Sequence, residues 1–383
     1  MRMPRNTFRS IQQATVCALG VPFLAISLHA QRNSQERQQF SPALRRAVQD
    51  VAAKYKIPGI AVAFIEQGRL RDIEVFGVRD KKSNAPVTEN TVFEAGSLSE
   101  PVFTYAVLEL AAEGRLDLGV PLTQYLPLPY RRNSNPFLVG SIAPTDQVTD
   151  VRFQQITAIR ALNHTSGLPN WALDDHLRLL FTPGERWSYS AEGEVYLQRI
   201  VEQITGQPFE SLLNRAVLGP FGMGQSSFVW RPQYEASIAT GYDLAGNPVA
   251  SHRYLQPVGA ETLYTTVADY ARFVSGVLAS SIRQRQHESV VSLMLNPTVG
   301  VDESLSLSWG LGWGLENPNK DLYFFHWDAS PGFYSFVMAS RKTGSGIVIF
   351  TNSENGLDAA RDIVQSVLGG DHPVFKSPLL HPH

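Results

Sequence analysis

Apolar residues along this 383-residue chain change their spacing twice, and those changes outline an architecture. Between residues 42 and 55, Leu44, Ala47, Val48 and Val51 fall on one side of a helical repeat and Pro58 follows, so the spacing predicts a helix. Two strand-like runs come next, Gly59–Glu66 and Asp72–Val78, joined through Gln67-Gly68 as a hairpin. From about 95 to 290 the pattern is mostly helical with long loops. Strand-like runs return at Leu322–Trp327, Phe333–Ser340 and Gly346–Thr351, and a last helix, Leu357–Leu368, is stopped by Gly369-Gly370. Links of two to four residues between such runs cannot make parallel crossovers. The expected fold class is α/β in the α+β sense: an antiparallel sheet built from both chain ends, flanked by helices, with a large helical middle region. No internal repeat or low-complexity linker divides the chain.

The amino terminus stands apart from this pattern. Arg2, Arg5 and Arg9 precede an apolar stretch from Ala14 to Leu28, and Leu28-His29-Ala30 offers a small-residue cut before Gln31. That layout is the one expected of a secretory signal; an uncleaved membrane anchor is the alternative, disfavoured because the apolar run is shorter than the roughly 20 residues of a spanning helix. The organisation read from the sequence is a signal peptide at 1–30, a disordered polar linker at 31–40, one domain over 41–372 and a tail at 373–383. Secretion or a periplasmic location follows as the expectation, with no membrane span after cleavage. Cys17, the sole cysteine, lies inside the signal, so the mature chain has neither a disulfide nor a thiol nucleophile.

Composition adds exclusions. At 43% hydrophobic and 18% charged, the chain has the makeup of an ordinary globular domain. Its net charge of -2, without a basic stripe, gives no support to a nucleic-acid partner. No G-x-S-x-G occurs, which disfavours a lipase, and His287-Glu288 lacks the second histidine of a zinc-protease helix. No metal or cofactor is expected.

The candidate chemistry begins at Ser97. In FEAGSLSEPVFTYAVLELAAEGRLDL, Val102, Ala106, Val107 and Leu110 recur at helical spacing, Pro101 suits a first turn and Gly114 ends the run. Ser97 therefore sits at a helix entrance, among free N–H groups and the positive end of the helix dipole; a plain helix cap fits that position as well. Seven segments in order then carry a resemblance: FEAGSLSEPVF, ALNHTSGLP (161–169), FTPGERWSYSAEGEVYLQRIVEQITGQPFE (181–210), VLGPFGMGQSSF (217–228), LYTTVADYARF (263–273), SWGLGWGLE (308–316) and FFHWDASPGFYSFVMAS (324–340). Together they resemble the serine β-lactamase and penicillin-binding-protein superfamily, in its class C β-lactamase, DD-peptidase and esterase branch.

The resemblance implies acyl transfer through a covalent serine intermediate on a small-molecule or peptide substrate with a reactive carbonyl: an ester, amide or β-lactam. Ser97 would be the nucleophile, Tyr189 would exchange protons with it, and His326 would stand at the lysine of K-[ST]-G. The oxyanion hole would use the backbone N–H groups of Ser97 and Ala329, with Trp327, Asp328 and Ala191 lining the substrate pocket. Three positions depart from the family pattern. Glu100 replaces the lysine of S-x-x-K, Ala191 the asparagine of Y-x-N, and Asp328 the glycine of the third motif. A literal KTG at Lys342–Gly344 reads as a turn between strands. A carboxylate at 100 disfavours both phenolate and alkoxide, and the helix dipole should depress its own pKa. Three readings remain open: a serine hydrolase with altered machinery, a catalytically impaired homologue that binds a peptidoglycan-like or acyl ligand, and a purely structural relative, which the retention of Ser97 and Tyr189 disfavours. Ser97, Tyr189 and His326 are expected to converge on one cleft, and a Ser–His–Glu arrangement, with Glu100 orienting His326 beside Ser97, is a further expectation.

Overall fold

The computed structural model describes residues 42–138, 145–172, 176–282 and 288–380. The segments read as signal and linker, 1–30 and 31–40, and His287 of the excluded zinc motif lie outside the described residues. The strands, in chain order, are β1 (Gly59–Glu66), β2 (Arg69–Asp80), β3 (Ala85–Pro86), β4 (Phe93–Glu94), β5 (Tyr130–Asn133), β6 (Thr145–Val148), β7 (Tyr264–Thr265), β8 (Val299–Asp302), β9 (Leu307–Trp309), β10 (Gly314–Glu316), β11 (Tyr323–Ser330), β12 (Phe333–Ser340) and β13 (Gly346–Thr351). Nine of them form one sheet in the order β3-β2-β1-β13-β12-β11-β10-β9-β8, with every neighbouring pair antiparallel.

Both chain ends build that sheet, as the strand pattern predicts. β1 pairs with β13 from Ile60↔Thr351 to Ile65↔Gly346. These central strands carry GIAVAFIE and GIVIFT, almost wholly buried, which is what strands covered on both faces require. Alternation assigns the faces: Ala61, Ala63, Val337, Ala339, Val348 and Phe350 join the core that holds Val267, Tyr270 and Val274 of the helix Val267–Ile282. The terminal helices Pro42–Lys54 and Gly356–Leu368 pack on each other, and the latter lies on β12 and β13. Among the described residues, no helix is long and apolar enough to cross a membrane.

The middle of the chain is less helical than its pattern suggests. It holds helices at Ser99–Ala112, Ala158–Leu162, Ala191–Thr205, Phe209–Leu213 and Val267–Ile282, but also two small sheets, β4–β7 and β5–β6. The strands β8, β9 and β10, which complete the sheet beyond β11, are not in the predicted pattern either. Runs of two to four residues are too short to show a period, and tertiary pairing defines them.

The β4–β7 pair matters most because it fixes the turn that carries Ser97. Phe93 pairs with Thr265 and Glu94 with Tyr264, and the Ala95 N–H donates to the Leu263 carbonyl. Ser99 Oγ accepts the Leu263 N–H at 3.0 Å, and the Tyr270 hydroxyl donates to the Leu98 carbonyl at 2.9 Å. The serine turn is thereby stitched to a segment far away in sequence before its helix begins. Ser99→Ala is therefore expected to leave the buried Leu263 N–H unpaired and to cost about 1–3 kcal/mol in denaturant unfolding. An unchanged midpoint would mean that the stitch is dispensable.

Candidate active site

Ser97 lies in the tight turn that opens the helix Ser99–Ala112: the Ser99 N–H bonds to the Gly96 carbonyl and the Glu100 N–H to the Ser97 carbonyl. Pro101 occupies the first helical turn, as expected. Tyr189 ends an extended stretch just before the helix Ala191–Thr205, whose cap is Ser190, its Oγ accepting the Gly193 N–H. His326 and Asp328 are two residues apart on β11 and so share a face of the strand. β10 pairs only with Tyr323–Phe325, which leaves the β11 edge open from His326 to Ser330. The Trp327 N–H turns to that open edge, where it meets the His326 ring, and by strand alternation the Ala329 N–H faces the same way. Ser97, Glu100, Tyr189 and His326 thus converge, and Trp327 packs on Tyr189 with ring centroids 5.7 Å apart. Ala191 does not join them: it is buried in a small apolar cluster with Val195, Val258 and Ala260. Lys342–Gly344 lies in the turn between β12 and β13, next to the hairpin at Gln67-Gly68.

Glu100 is fully buried, and its Oε2 lies 3.4 Å from His164 Nε2 and 3.3 Å from His326 Nε2. His164 was not among the residues singled out from the sequence, although it stands inside the ALNHTSGLP segment. Its backbone is left-handed, with φ of 57°, a conformation that costs energy in a non-glycine residue and aims the ring inward. The Ser190 N–H donates to His164 Nδ1 at 3.3 Å, and the Trp327 N–H to His326 Nδ1 at 3.0 Å. Accepting at Nδ1 leaves the His164 ring its N–H at Nε2, facing the carboxylate; His326 Nδ1 lies 3.0 Å from both the N–H and the carbonyl of Trp327, so its Nε2 faces Glu100 at ion-pair distance without a fixed tautomer. Two histidines and a glutamate have the composition of a metal site. Among the described residues, no group of three such side chains is arranged to hold a metal.

The same geometry corrects one expectation. In a Ser–His–Glu arrangement, one imidazole nitrogen of His326 must face Ser97. Instead Nδ1 is taken by the Trp327 backbone and Nε2 faces Glu100, so neither nitrogen remains for the serine. His326 serves the carboxylate.

The charges follow. Burial works to raise the pKa of Glu100, but His164 and then His326 outweigh it and hold the carboxyl below the ordinary range. The direction is the one expected from sequence, and the imidazole pair is a cause that the sequence did not show. Burial and then the Glu100 charge push Tyr189 well above the usual phenol range, so it stays a phenol. Its ring is partly exposed, but its hydroxyl is buried between Ser97 and Glu100, without a well-formed hydrogen bond to either. Glu194, one helical turn past Ser190, is buried without a partner, and burial and then Glu100 raise it well above the carboxylate range. Trp309 seals the cluster, 5.0 Å from the His164 ring and 5.6 Å from that of His326.

Asp328 makes the most consequential contact. Its Oδ1 accepts the Ser97 N–H at 3.0 Å, so one of the two expected oxyanion donors is already engaged by a carboxyl group. Only glycine fits beneath it: a Cβ on Gly96, whose φ is +50°, would lie 1.9 Å from that oxygen. Burial, opposed by Ser330 and the Ser97 N–H, raises Asp328 to about 7.

A beta-lactamase family model matches residues 44–369. A beta-lactamase of Pseudomonas fluorescens is 28% identical over 283 residues, which cover 70% of this chain and 72% of that protein. Esterase EstB of Burkholderia gladioli is 29% identical over 203 residues, 45% of this chain and 48% of the esterase. The octameric penicillin-binding protein homologue from Pyrococcus abyssi superposes with a TM-score of 0.71 at 20% identity, covering 90% of this chain and 80% of the other.

Two outcomes are expected from this geometry. Gly96→Ala should drive a methyl group into Asp328 and strain a left-handed turn, lowering stability by about 2–4 kcal/mol in denaturant unfolding; a neutral effect would contradict the close approach. The raised Asp328 pKa makes the folded state bind the proton more tightly than the unfolded chain, whose reference is 3.8. Its contribution to stability is therefore fully present below that value and lost as pH rises through about 7. Thermal unfolding should show Asp328→Asn gaining on the parent between about pH 5 and about pH 8; a constant difference would show an unperturbed carboxyl.

Proposed function

The chain belongs to the beta-lactamase family, and on that premise we propose that Ser97 is the nucleophile of a serine acyl-transfer site acting on a small ester, amide or β-lactam carbonyl. The observation that carries this reading is the meeting of Ser97, the Tyr189 hydroxyl and the Glu100 carboxylate at one buried point.

With the family's lysine replaced, proton flow must be redrawn. Tyr189 stays a phenol, so it cannot accept the serine proton as a phenolate. It can relay: the Ser97 Oγ–H proton passes to the tyrosine oxygen as the tyrosine's own proton passes to Glu100, and the serine oxygen bonds to the carbonyl carbon. The tyrosine ends neutral and Glu100 holds the proton until the leaving group takes it back. His164 and His326 act as positioning residues for that carboxylate. The contacts along this path are loose, and catalytic contacts of this kind tighten in Michaelis complexes.

A second reading, an impaired homologue that binds an acyl ligand without turnover, is favoured by the contact between Asp328 and the Ser97 N–H. A carbonyl oxygen seeking that donor competes with a carboxyl group, and an ionised one would repel the developing oxyanion. We further propose, from the signal-like segment at residues 1–30, that the protein works outside the cytoplasm.

Incubation with a fluorescent penicillin or an activated ester, followed by intact-mass measurement and peptide mapping, tests the reading. An adduct on Ser97 that is absent from Ser97→Ala supports it, whereas reversible binding with no adduct under any condition selects the second. The double variant Glu100→Lys, Asp328→Gly is expected to acylate at neutral pH about 10²-fold faster than the parent. Glu100→Lys alone should gain little, because Asp328 still holds the Ser97 N–H. A folded double variant no faster than the parent would clear these two positions of limiting the rate.

A further inference from the structure

Three residues beside Ser97 have no role in the relay above: Asp328, Ser330 and Glu261. Ser330 Oγ lies 2.7 Å from Asp328 Oδ1 and 2.8 Å from Glu261 Oε1. A hydroxyl has one hydrogen, so it can donate to only one of two carboxyl oxygens at hydrogen-bond distance. The other contact needs a carboxyl proton that donates to Ser330. The three groups together therefore hold at least one carboxyl proton while this geometry lasts. Meanwhile Asp328 Oδ1 stands 3.0 Å from the Ser97 nitrogen, within the roughly 2.7–3.1 Å at which a hole donor meets an oxyanion. Asp328 Oδ2 is buried and has no hydrogen-bond partner.

Resting on the acyl-transfer reading of Ser97, we propose that Asp328 is a further catalytic residue: as a carboxylic acid it releases the Ser97 N–H and donates its own O–H to the substrate carbonyl oxygen, and as a carboxylate it keeps that N–H and closes the site.

The chemistry balances without a new co-reactant. A neutral carboxyl is a weaker acceptor than a carboxylate, so protonation loosens the bond to the Ser97 N–H. The substrate oxygen then takes that N–H together with the Asp328 O–H. As the serine oxygen adds to the carbonyl carbon, negative charge gathers on an oxygen held by two donors, while the serine proton leaves through Tyr189 to Glu100. The Asp328 proton stays on Asp328 and returns to it fully when the carbonyl re-forms.

The surroundings of the two carboxyls assign these opposite roles. Asp328 is faced by Glu261 from the loop before β7, by Glu94 on β4, by Tyr254, by Tyr334 on β12 and by the serine turn. Glu94 is engaged by His252, whose hydrogen bond to it raises the histidine's pKa, and no Lys or Arg among the described residues pairs with Asp328 or Glu261. Burial, then the Asp328 charge, lifts Glu261 well above the carboxylate range, so Glu261 keeps its proton while Asp328 titrates near 7. His164 and His326 face Glu100 and keep it ionised. Two carboxyls whose pKa values are pushed apart in this way can serve one as base and the other as acid over the same mildly acidic range.

The test is the pH profile of Ser97 acylation by p-nitrophenyl acetate, from about pH 5 to about pH 8.5, in the parent, Asp328→Asn and Asp328→Gly, with the Ser97→Ala rate subtracted and near-UV circular dichroism checking the fold at each pH. The parent's rate is expected to fall by about 10-fold or more as pH rises through one titration, and both variants should give flat profiles. Asp328→Gly should exceed the parent at the alkaline end and trail it at the acid end. Infrared difference spectra should show a protonated-carboxyl C=O band that titrates with the rate and is missing from Asp328→Asn. A parent rate that is flat or rises with pH, or an Asp328→Asn profile like the parent's, would overturn the role of Asp328 while leaving Ser97 as the nucleophile. No Ser97 adduct at any pH would overturn both.

Discussion

The antiparallel pairing of β1 with β13 is the constraint on which the rest depends. It brings strands from opposite ends of the chain side by side at the centre of the sheet, where both are buried. β12 and β11 follow from β13 by short turns, so the position of His326 and Asp328 is inherited from that pairing. On one face the helix Val267–Ile282 covers the central strands, and the segment leading into it, through β7, holds the serine turn. The serine turn and the strand facing it are therefore referred to one rigid frame, although neither is near the other in sequence. A site that needs placement to within fractions of an ångström benefits from being built on such elements rather than on loops.

Within that frame the chemistry is governed by unusual charge. The family's machinery places a cation beside the serine; here Glu100, Glu194, Glu261 and Asp328 cluster around it, with two imidazoles facing Glu100 and the Ser330 hydroxyl facing Asp328 and Glu261. Leaving several carboxylates buried and ionised together would be prohibitively costly. The site resolves this by dividing them: Glu100 is favoured as an anion by the two imidazoles beside it, while Glu194 and Glu261 are held as acids. Asp328 sits between these extremes, which is why it can act as a switch. Loss of the lysine is thus one part of a coordinated rearrangement of proton positions.

That rearrangement also explains why membership of the family and ability to turn over its substrates are separate matters. The segments that define the fold are present in order, and the model match runs through nearly all of them. Two of the residues that depart from the family pattern, Glu100 and Asp328, lie beside Ser97 and differ in ionisable character. A fold can be retained while its site is re-tuned, because core packing and acid–base poise draw on different side chains.

The sequence by itself determined a good deal. Local periodicity was enough for the terminal helices, the hairpin and the central strands, and Pro101 and Gly114 bracketed the helix that Ser97 introduces. The order of segments was enough for the family, and the absence of lysine at 100 was plain from one residue. Short strands such as β4, β7 and β10 left no period to read, because their pairing partners define them. Ala191 looked like a pocket residue by motif position but turned into the core. His164 lay in a quoted segment, yet nothing local marks a ring that will meet Glu100 across the fold. Only the tertiary structure put the Asp328 carboxyl on the N–H of Ser97, 231 positions away, and Ser330 between two acids. The physical reason is that protonation states are set by burial and by neighbours in space, and neither quantity exists until the chain has folded.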